Sequence, residues 1–147
     1  MAEELGVPME PAAISSETVA RVAARYDQGP PLVDGAVEVV RELAGHWPLG
    51  LASSANRPMI ELVLERSGLT GCFRTTVSSE EVARGKPAPD VYLEAAARLG
   101  VPPDRCAAVE DSANGLRSAA AAGMWVVAVP NRRYPPPAEL AQAAHLA

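Results

Sequence analysis

Short apolar runs alternate with helical patterns of about ten residues along most of this chain, and that alternation constrains the fold more than any other feature. Four runs are predicted to be buried strands: Leu49 to Ala52, Phe73 to Val77, Cys106 to Val109 and Trp125 to Val129. Between them, apolar residues at helical spacing predict helices that open near Pro58, Asp90 and Ala113. Such alternation is typical of a parallel sheet with right-handed crossovers and helices on both faces, so the fold class is predicted to be α/β.

The two ends of the sequence predict further helices. Ser16 is predicted to cap a short amphipathic helix that stops before Gly29, and a second helix is predicted from Asp34 to Gly45. A closing helix is predicted from Ala138 to Leu146, after three consecutive prolines.

Composition excludes several classes of function. The 147 residues carry a formal net charge of -5, which disfavours binding to nucleic acid or to an anionic membrane surface. Two cysteines do not make a secreted disulfide framework, and no apolar run is long enough to span a membrane. We therefore expect a soluble cytoplasmic protein whose core is built mainly from Val, Leu and Ala.

Polar residues follow the predicted strands at the edge where ligands bind in parallel sheets. Ser53 and Ser54 follow one strand, Glu110 and Asp111 follow another, and Lys86 lies in the loop after a third. Lysine can act as a point charge on a phosphate, and Mg²⁺ prefers one or two carboxylates together with water and phosphate oxygens. We therefore expect these loops to meet around a phosphoryl group and Mg²⁺.

Three segments resemble motifs of the haloacid dehalogenase superfamily: Leu49 to Asn56, Gly85-Lys86-Pro87-Ala88-Pro89-Asp90, and Val109 to Gly115. Their order, spacing and strand context match, and the Glu110-Asp111 pair is similar to that of beta-phosphoglucomutase and related sugar-phosphate phosphatases. The resemblance implies a remnant of a helical cap with its linker over residues 1–30 and an incomplete α/β core over residues 31–147.

The same resemblance implies a Mg²⁺-dependent phosphatase or phosphomutase-like hydrolase of a small phosphorylated metabolite, with a sugar phosphate as the expected substrate. It implies catalytic roles for Ser53 and Lys86, and metal binding by Glu110 and Asp111. The residues implied in substrate binding are Ser53, Ser54, Asn56, Arg57 and Lys86.

One motif of that family has no match in this sequence. Its first strand carries Asp-x-Asp-Gly, whose first carboxylate is the nucleophile that becomes an aspartyl-phosphate. Every aspartate here is isolated, and Asp34-Gly35 matches instead the turn that opens the helix after the cap. We therefore expect this chain alone to be inactive, as a fragment or a shortened protein that lacks the first central strand and most of the cap.

In that family the first strand lies between the strand that ends at Ser53 and the strand that ends at Glu110. Its loss would leave these two neighbours about 10 Å apart with unpaired backbone groups. Either those neighbours pair directly, or a missing N-terminal segment or another chain fills the gap. An alternative function is that of a catalytically inactive module that binds a phosphorylated ligand or a partner protein. A receiver-type signalling domain is disfavoured. Such a domain places its acidic pair after the first strand and its phosphoacceptor Asp after the third, and this chain shows neither arrangement.

Overall fold

The computed structural model describes residues 10–26, 29–129, 137 and 145–146 of the chain. The helices are α1 (Pro11–Tyr26), α2 (Ala36–Ala44), α3 (Arg57–Ser67), α4 (Asp90–Leu99) and α5 (Ala113–Ala121). The strands are β1 (Leu49–Ser53), β2 (Phe73–Ser78), β3 (Ala107–Glu110), β4 (Trp125–Ala128) and β5 (His145–Leu146). Short 3₁₀ turns lie at Ser79–Glu81 and Pro103–Arg105.

Local sequence signals account for most helix boundaries. The Asn56 side chain accepts a hydrogen bond from the Met59 N–H and so caps α3, while Gly68 ends that helix at a φ of 67°. Gly100 ends α4 in the same left-handed conformation. The prediction that Ser16 begins the first helix is wrong, because α1 begins at Pro11, a residue well suited to the first helical position.

The strands form two parallel sheets, one of β1 and β2 and one in the order β3-β4-β5. The predicted α/β class is confirmed. The predicted closing helix is wrong at its end, because His145 and Leu146 pair with Val127 and Ala128 of β4. Residues 138–144 of that predicted helix lie outside the described residues.

Two consecutive residues of β1 join two apolar clusters on opposite faces of the sheet. Leu51 packs against the cluster that includes Ile60 and Leu64 of α3, whereas Ala52 packs against the larger cluster that includes Val91 of α4. The larger cluster also contains buried residues of β3, β4 and α5, so helices cover both faces of β1. No helix among the described residues is long and apolar enough to cross a membrane.

A cleft separates β1 of one sheet from β3 of the other. Within the described residues β1 pairs only with β2, and β3 pairs only with β4. Direct pairing of β1 with β3, one of the two expected arrangements, therefore does not occur there. The facing strands border a cleft of about 860 Å³ whose wall includes Tyr92 and Leu99 of α4.

Candidate active site

Lys86 lies where the two sheets come together at their carboxyl ends. Its Nζ donates to the carbonyl oxygen of Ala52, near the end of β1, at 3.1 Å, and to the carboxylate of Glu110 at the end of β3. The ammonium also lies 3.3 Å from the Tyr92 hydroxyl and 4.7 Å from the centre of its ring. One side chain from a loop thus links both strand ends, so the structure brings Lys86 and Glu110 together.

Glu110 is enclosed by donors. Its Oε1 accepts from Lys86 and from the Tyr92 hydroxyl, at 2.6 Å for the latter. Its Oε2 accepts from the backbone N–H groups of Asp111 and Ser112 and from the Ser112 hydroxyl. The side chains of Lys86 and Glu110 are only 9% and 8% exposed, so this ion pair is shielded from water.

The environment of this cluster shifts two pKa values. Burial raises the pKa of Glu110, but hydrogen bonds from Lys86 and Tyr92 outweigh burial, so the pKa falls below its ordinary value and the carboxylate stays charged. Burial, followed by the hydrogen bond to Glu110, raises the pKa of Tyr92. Tyr92 therefore stays protonated and acts as a donor to Glu110.

Gly115, in the first turn of α5, makes room for the Glu110 carboxylate. A Cβ at this position would lie closer than 3.0 Å to the carboxyl carbon and both oxygens of Glu110. Ser112 caps the same helix by accepting from the Gly115 N–H at 3.0 Å. Glu110 thus rests directly on the first turn of α5, where a carboxylate is favoured by the helix dipole.

The fit of a divalent cation differs between the two acidic residues. Asp111 is exposed immediately after β3, and its carboxylate is of the hard oxygen type that Mg²⁺ prefers. Both oxygens of Glu110 already accept at least two hydrogen bonds each, so a cation there would displace a donor. No cluster of three His, Cys, Asp or Glu side chains occurs among the described residues. Asp111 fits a metal ligand better than Glu110 does.

The loop after β1 is tied down by short polar contacts. The Ser53 hydroxyl accepts from the Ala55 N–H at 3.1 Å, and the carbonyl of exposed Ser54 accepts from the Ser79 hydroxyl at 3.1 Å. Ser78, fully buried at the end of β2, donates its hydroxyl to the Ala55 carbonyl at 2.7 Å. The loop that holds Ser53 and Ser54 is therefore fixed from two sides, directly before the positive end of α3.

Arg57 points toward β2. Its guanidinium donates to the Thr76 hydroxyl at 2.6 Å and the Thr76 carbonyl at 3.0 Å, and it pairs with Glu81. Its backbone N–H donates to Glu80 at 3.0 Å. Substrate binding by Arg57 stays a prediction, and a substrate would have to compete with these partners.

The hydrogen bonds and ion pairs of Glu81 should make the folded state less stable at acid pH. The Ser78 N–H, then Arg98 and Arg57, lower its pKa from 4.5 to about 2. A lowered folded-state pKa means that the stabilisation is complete above pH 4.5 and is lost as the pH falls toward 2. We expect Glu81→Gln to unfold at lower urea concentration than the parent at pH 7, with the difference shrinking between pH 4.5 and 2. Glu61→Gln, at an exposed position of α3, is the control, and equal pH slopes for parent and Glu81→Gln would contradict the expectation.

Three residues of the site carry no signal in the sequence motifs used above. Tyr92 contacts Lys86 and Glu110, Ser78 fixes the loop after β1, and fully buried Ser118 of α5 donates to the Ala88 carbonyl at 2.6 Å. Ser118 thereby holds the loop of Lys86 against α5. Tyr92 follows Lys86 by six residues, so one turn of α4 places it there, but the partner of Ser118 lies thirty residues away.

Comparisons with known proteins bear on the family and the fold of this chain. The family model described as haloacid dehalogenase-like hydrolase matches residues 3–123. Hexitol phosphatase B of Escherichia coli is 37% identical over 118 residues, covering 80% of this chain and 53% of that protein. The chain spans between about a third and about half of the length of its first curated relatives.

Two solved structures share the fold. CbbY from Rhodobacter sphaeroides, in complex with phosphate, superposes with a TM-score of 0.84 at 28% identity over 96% of this chain and 64% of that chain. A beta-phosphoglucomutase from Clostridium difficile superposes with a TM-score of 0.77 at 21% identity, covering 92% of this chain and 59% of that chain. The match to CbbY therefore extends over nearly all of this chain.

Proposed function

Because the chain belongs to the haloacid dehalogenase-like hydrolase family, we propose that it supplies the phosphate-binding and metal-binding side of a hydrolase of phosphorylated metabolites. The observation that carries the proposal is Lys86, a shielded ammonium held at the point where β1 and β3 end. A sugar phosphate is the proposed substrate class, supported by the similarity to Hexitol phosphatase B.

Each residue of the proposed site has a distinct task. Lys86 places positive charge beside a phosphoryl group, and the Ser53 hydroxyl donates a hydrogen bond to a phosphate oxygen once it turns toward the substrate. Ser54 and Asn56 shape the loop before α3, whose positive end favours an anion. Glu110 and Tyr92 hold Lys86 in position through their hydrogen bonds.

Magnesium is part of the proposal through Asp111, with Glu110 as a second ligand only after it releases a hydrogen-bond donor. When bound, Mg²⁺ neutralises charge on the transferring phosphoryl group. The nucleophilic carboxylate of this family stands in an Asp-x-Asp pair, which is absent from residues 1–147. The proposed reaction therefore requires a carboxylate from outside this sequence.

The test is phosphate release from p-nitrophenyl phosphate in the presence of Mg²⁺. We expect no turnover from residues 1–147 alone and measurable turnover when a segment with Asp-x-Asp is joined upstream. In that active protein, Lys86→Ala should lower kcat/KM by about 100-fold or more, because it removes a preorganised charge from the site. Arg84→Ala, which removes an exposed cation two residues away, is the control. Equal turnover of the Lys86→Ala and Arg84→Ala proteins would contradict the proposed site.

The absence of Asp-x-Asp also favours a second function, the binding of a phosphorylated ligand without hydrolysis. This function predicts that fructose 1-phosphate raises the unfolding temperature of residues 1–147 without phosphate release. Lys86→Ala should abolish that rise. A rise that survives Lys86→Ala would place the ligand elsewhere.

A further inference from the structure

Two serines stand out in the core of this protein. Among the described residues, only Ser78 and Ser118 are both polar and buried, and neither has any exposed surface. The Ser78 hydroxyl donates to the Ala55 carbonyl at 2.7 Å, and the Ser118 hydroxyl donates to the Ala88 carbonyl at 2.6 Å. A buried hydroxyl costs free energy unless it is hydrogen-bonded, and an alanine in the same place would avoid that cost. Packing alone therefore does not account for these two hydroxyls.

The partner of Ser118 is not the usual one for a serine inside a helix. Such a serine commonly donates to a carbonyl three or four residues earlier in its own helix. Ser67 of α3 does so with the Val63 carbonyl at 2.7 Å. Ser118 of α5 instead donates to Ala88, which lies thirty residues away in the loop that carries Lys86. The hydrogen bond of Ser118 therefore fixes that loop and not α5 itself.

In the loop after β1, Ala55 is held at both of its backbone polar groups. Its N–H donates to the Ser53 hydroxyl oxygen at 3.1 Å, and its carbonyl accepts from Ser78. Because the Ser53 oxygen accepts this bond, the hydrogen of the same hydroxyl stays available for a phosphate oxygen. Ser78 thereby fixes the residue that orients Ser53.

The loop of Lys86 is held in the same manner. The Ala88 N–H donates to the Gly85 carbonyl at 3.1 Å, and the Ala88 carbonyl accepts from Ser118. Pro87, whose ring restricts its φ angle, connects Ala88 to Lys86, so a displacement of Ala88 is passed on to Lys86. In both loops the alanine that a buried serine fixes stands two residues after the proposed phosphate ligand.

We propose that Ser78 and Ser118 are positioning residues that together set the placement of the Ser53 hydroxyl relative to the Lys86 ammonium. Neither serine touches the substrate, because each acts through the carbonyl of an alanine. Two groups that bind one phosphoryl group must keep their mutual distance, and a misplacement of about 1 Å can lower a rate by about 100-fold. The proposal rests on the proposed function, since it assigns what fixes the geometry of that same site.

The first test is kinetic and uses the protein with an Asp-x-Asp segment joined upstream. We expect Ser118→Ala to lower kcat for p-nitrophenyl phosphate by about tenfold and to change KM by less than about twofold, since preorganised groups act mainly on the transition state. The Ala88 carbonyl loses its donor and turns toward another one. Ser67→Ala, which removes a hydroxyl bonded within its own helix, is the control. Equal kcat values for Ser118→Ala and Ser67→Ala would overturn the role of Ser118.

A double-mutant cycle tests whether the two serines act on one shared geometry. Ser78→Ala should also lower kcat, but it removes the acceptor of the Glu80 N–H at 3.2 Å as well. In the double variant with Ser118→Ala, the loss in kcat should be smaller than the product of the two single losses, because either change alone already frees the relative placement. The losses in unfolding free energy should add, since the two serines share no hydrogen-bond partner. Losses in kcat that multiply would contradict a shared geometry.

Amide hydrogen exchange followed by NMR tests the placement of the loops without any turnover. We expect Ser118→Ala to speed exchange of the Ala88 amide, and Ser78→Ala that of the Ala55 amide, by about tenfold or more, whereas Ser67→Ala leaves both unchanged. Should Ser118→Ala fail to fold, Ser118→Cys, which keeps a weak donor, should change the same amide by a smaller factor. If even the parent releases no phosphate, the hydrolase proposal fails and the exchange rates alone decide on the serines. Unchanged exchange at both alanines would overturn the positioning role even in a fully active protein.

Discussion

Lys86→Met is expected to lower the free energy of unfolding by about 3–5 kcal/mol, because it leaves the carboxylate of Glu110 buried without its cationic partner. The Tyr92 hydroxyl and the donors around Ser112 remain, but none of them supplies a positive charge. Urea unfolding at pH 7 measures the loss. Arg84→Met is the matched control, since the Arg84–Asp90 pair has an arginine side chain that is 70% exposed, and exposed pairs contribute about 0–1 kcal/mol.

The contribution of Glu110 to the pH dependence of the unfolding free energy should also reverse its sign in this variant. In the parent, the lowered pKa of Glu110 gives stability that is present at neutral pH and lost on acidification. Without Lys86, burial dominates and raises the pKa of Glu110 in the folded state, so the variant should gain stability relative to the parent as the pH falls. A loss in Lys86→Met no larger than in Arg84→Met would contradict the buried ion pair.

A double-mutant cycle separates the pair from its surroundings. Lys86→Met combined with Glu110→Gln should cost less than the sum of the two single changes, since the double variant leaves no unpaired charge. Additive losses would mean that the two side chains do not interact in solution.

Gly115→Ala is expected to lower the free energy of unfolding by about 2–4 kcal/mol, although alanine is the better helix former by about 1 kcal/mol. The added Cβ would occupy the position of the Glu110 carboxylate, which would have to leave Lys86 and Tyr92. Thermal and urea unfolding measure the loss. Gly71→Ala is the matched control, because nothing lies within 4 Å of the corresponding Cβ.

The cause of the Gly115→Ala loss can be isolated by removing the side chain that it strikes. In a Glu110→Ala background, Gly115→Ala should become neutral or stabilising, because only its helix propensity remains. An equal loss in both backgrounds would show that Glu110 does not rest on Gly115.

Sequence reasoning located the loops of this site better than it described their contacts. The strand before Ser53 and the strand before Glu110 follow from short apolar runs, and the parallel arrangement follows from the intervening helices. The prediction that Trp125 begins a strand is confirmed, but the expectation that Trp125 is buried in the core is wrong, because this residue is 61% exposed. Burial of one face of a strand depends on which elements cover it, and that is a long-range property.

The prediction that Glu110 binds a metal ion shows where the sequence leaves a choice between several roles. Two adjacent acids after a strand are compatible with two metal ligands, with a helix cap or with the counterion of a lysine. The side-chain rotamer and the position of Lys86, 24 residues away, give Glu110 a full set of hydrogen-bond donors. The roles of Ser53, Ser54, Asn56 and Arg57 as substrate ligands stay predictions.

The sequence by itself determined the α/β class, the strands before Ser53 and Glu110, and the loop that carries Lys86, because hydrophobic period, glycine and proline act over a few residues. Only the tertiary structure decided that Lys86 joins β1 to β3, that Gly115 must lack a Cβ, and that a cleft separates the two sheets. These features depend on contacts between residues far apart in the chain. Such contacts arise from packing and from the satisfaction of buried polar groups, which no local pattern encodes.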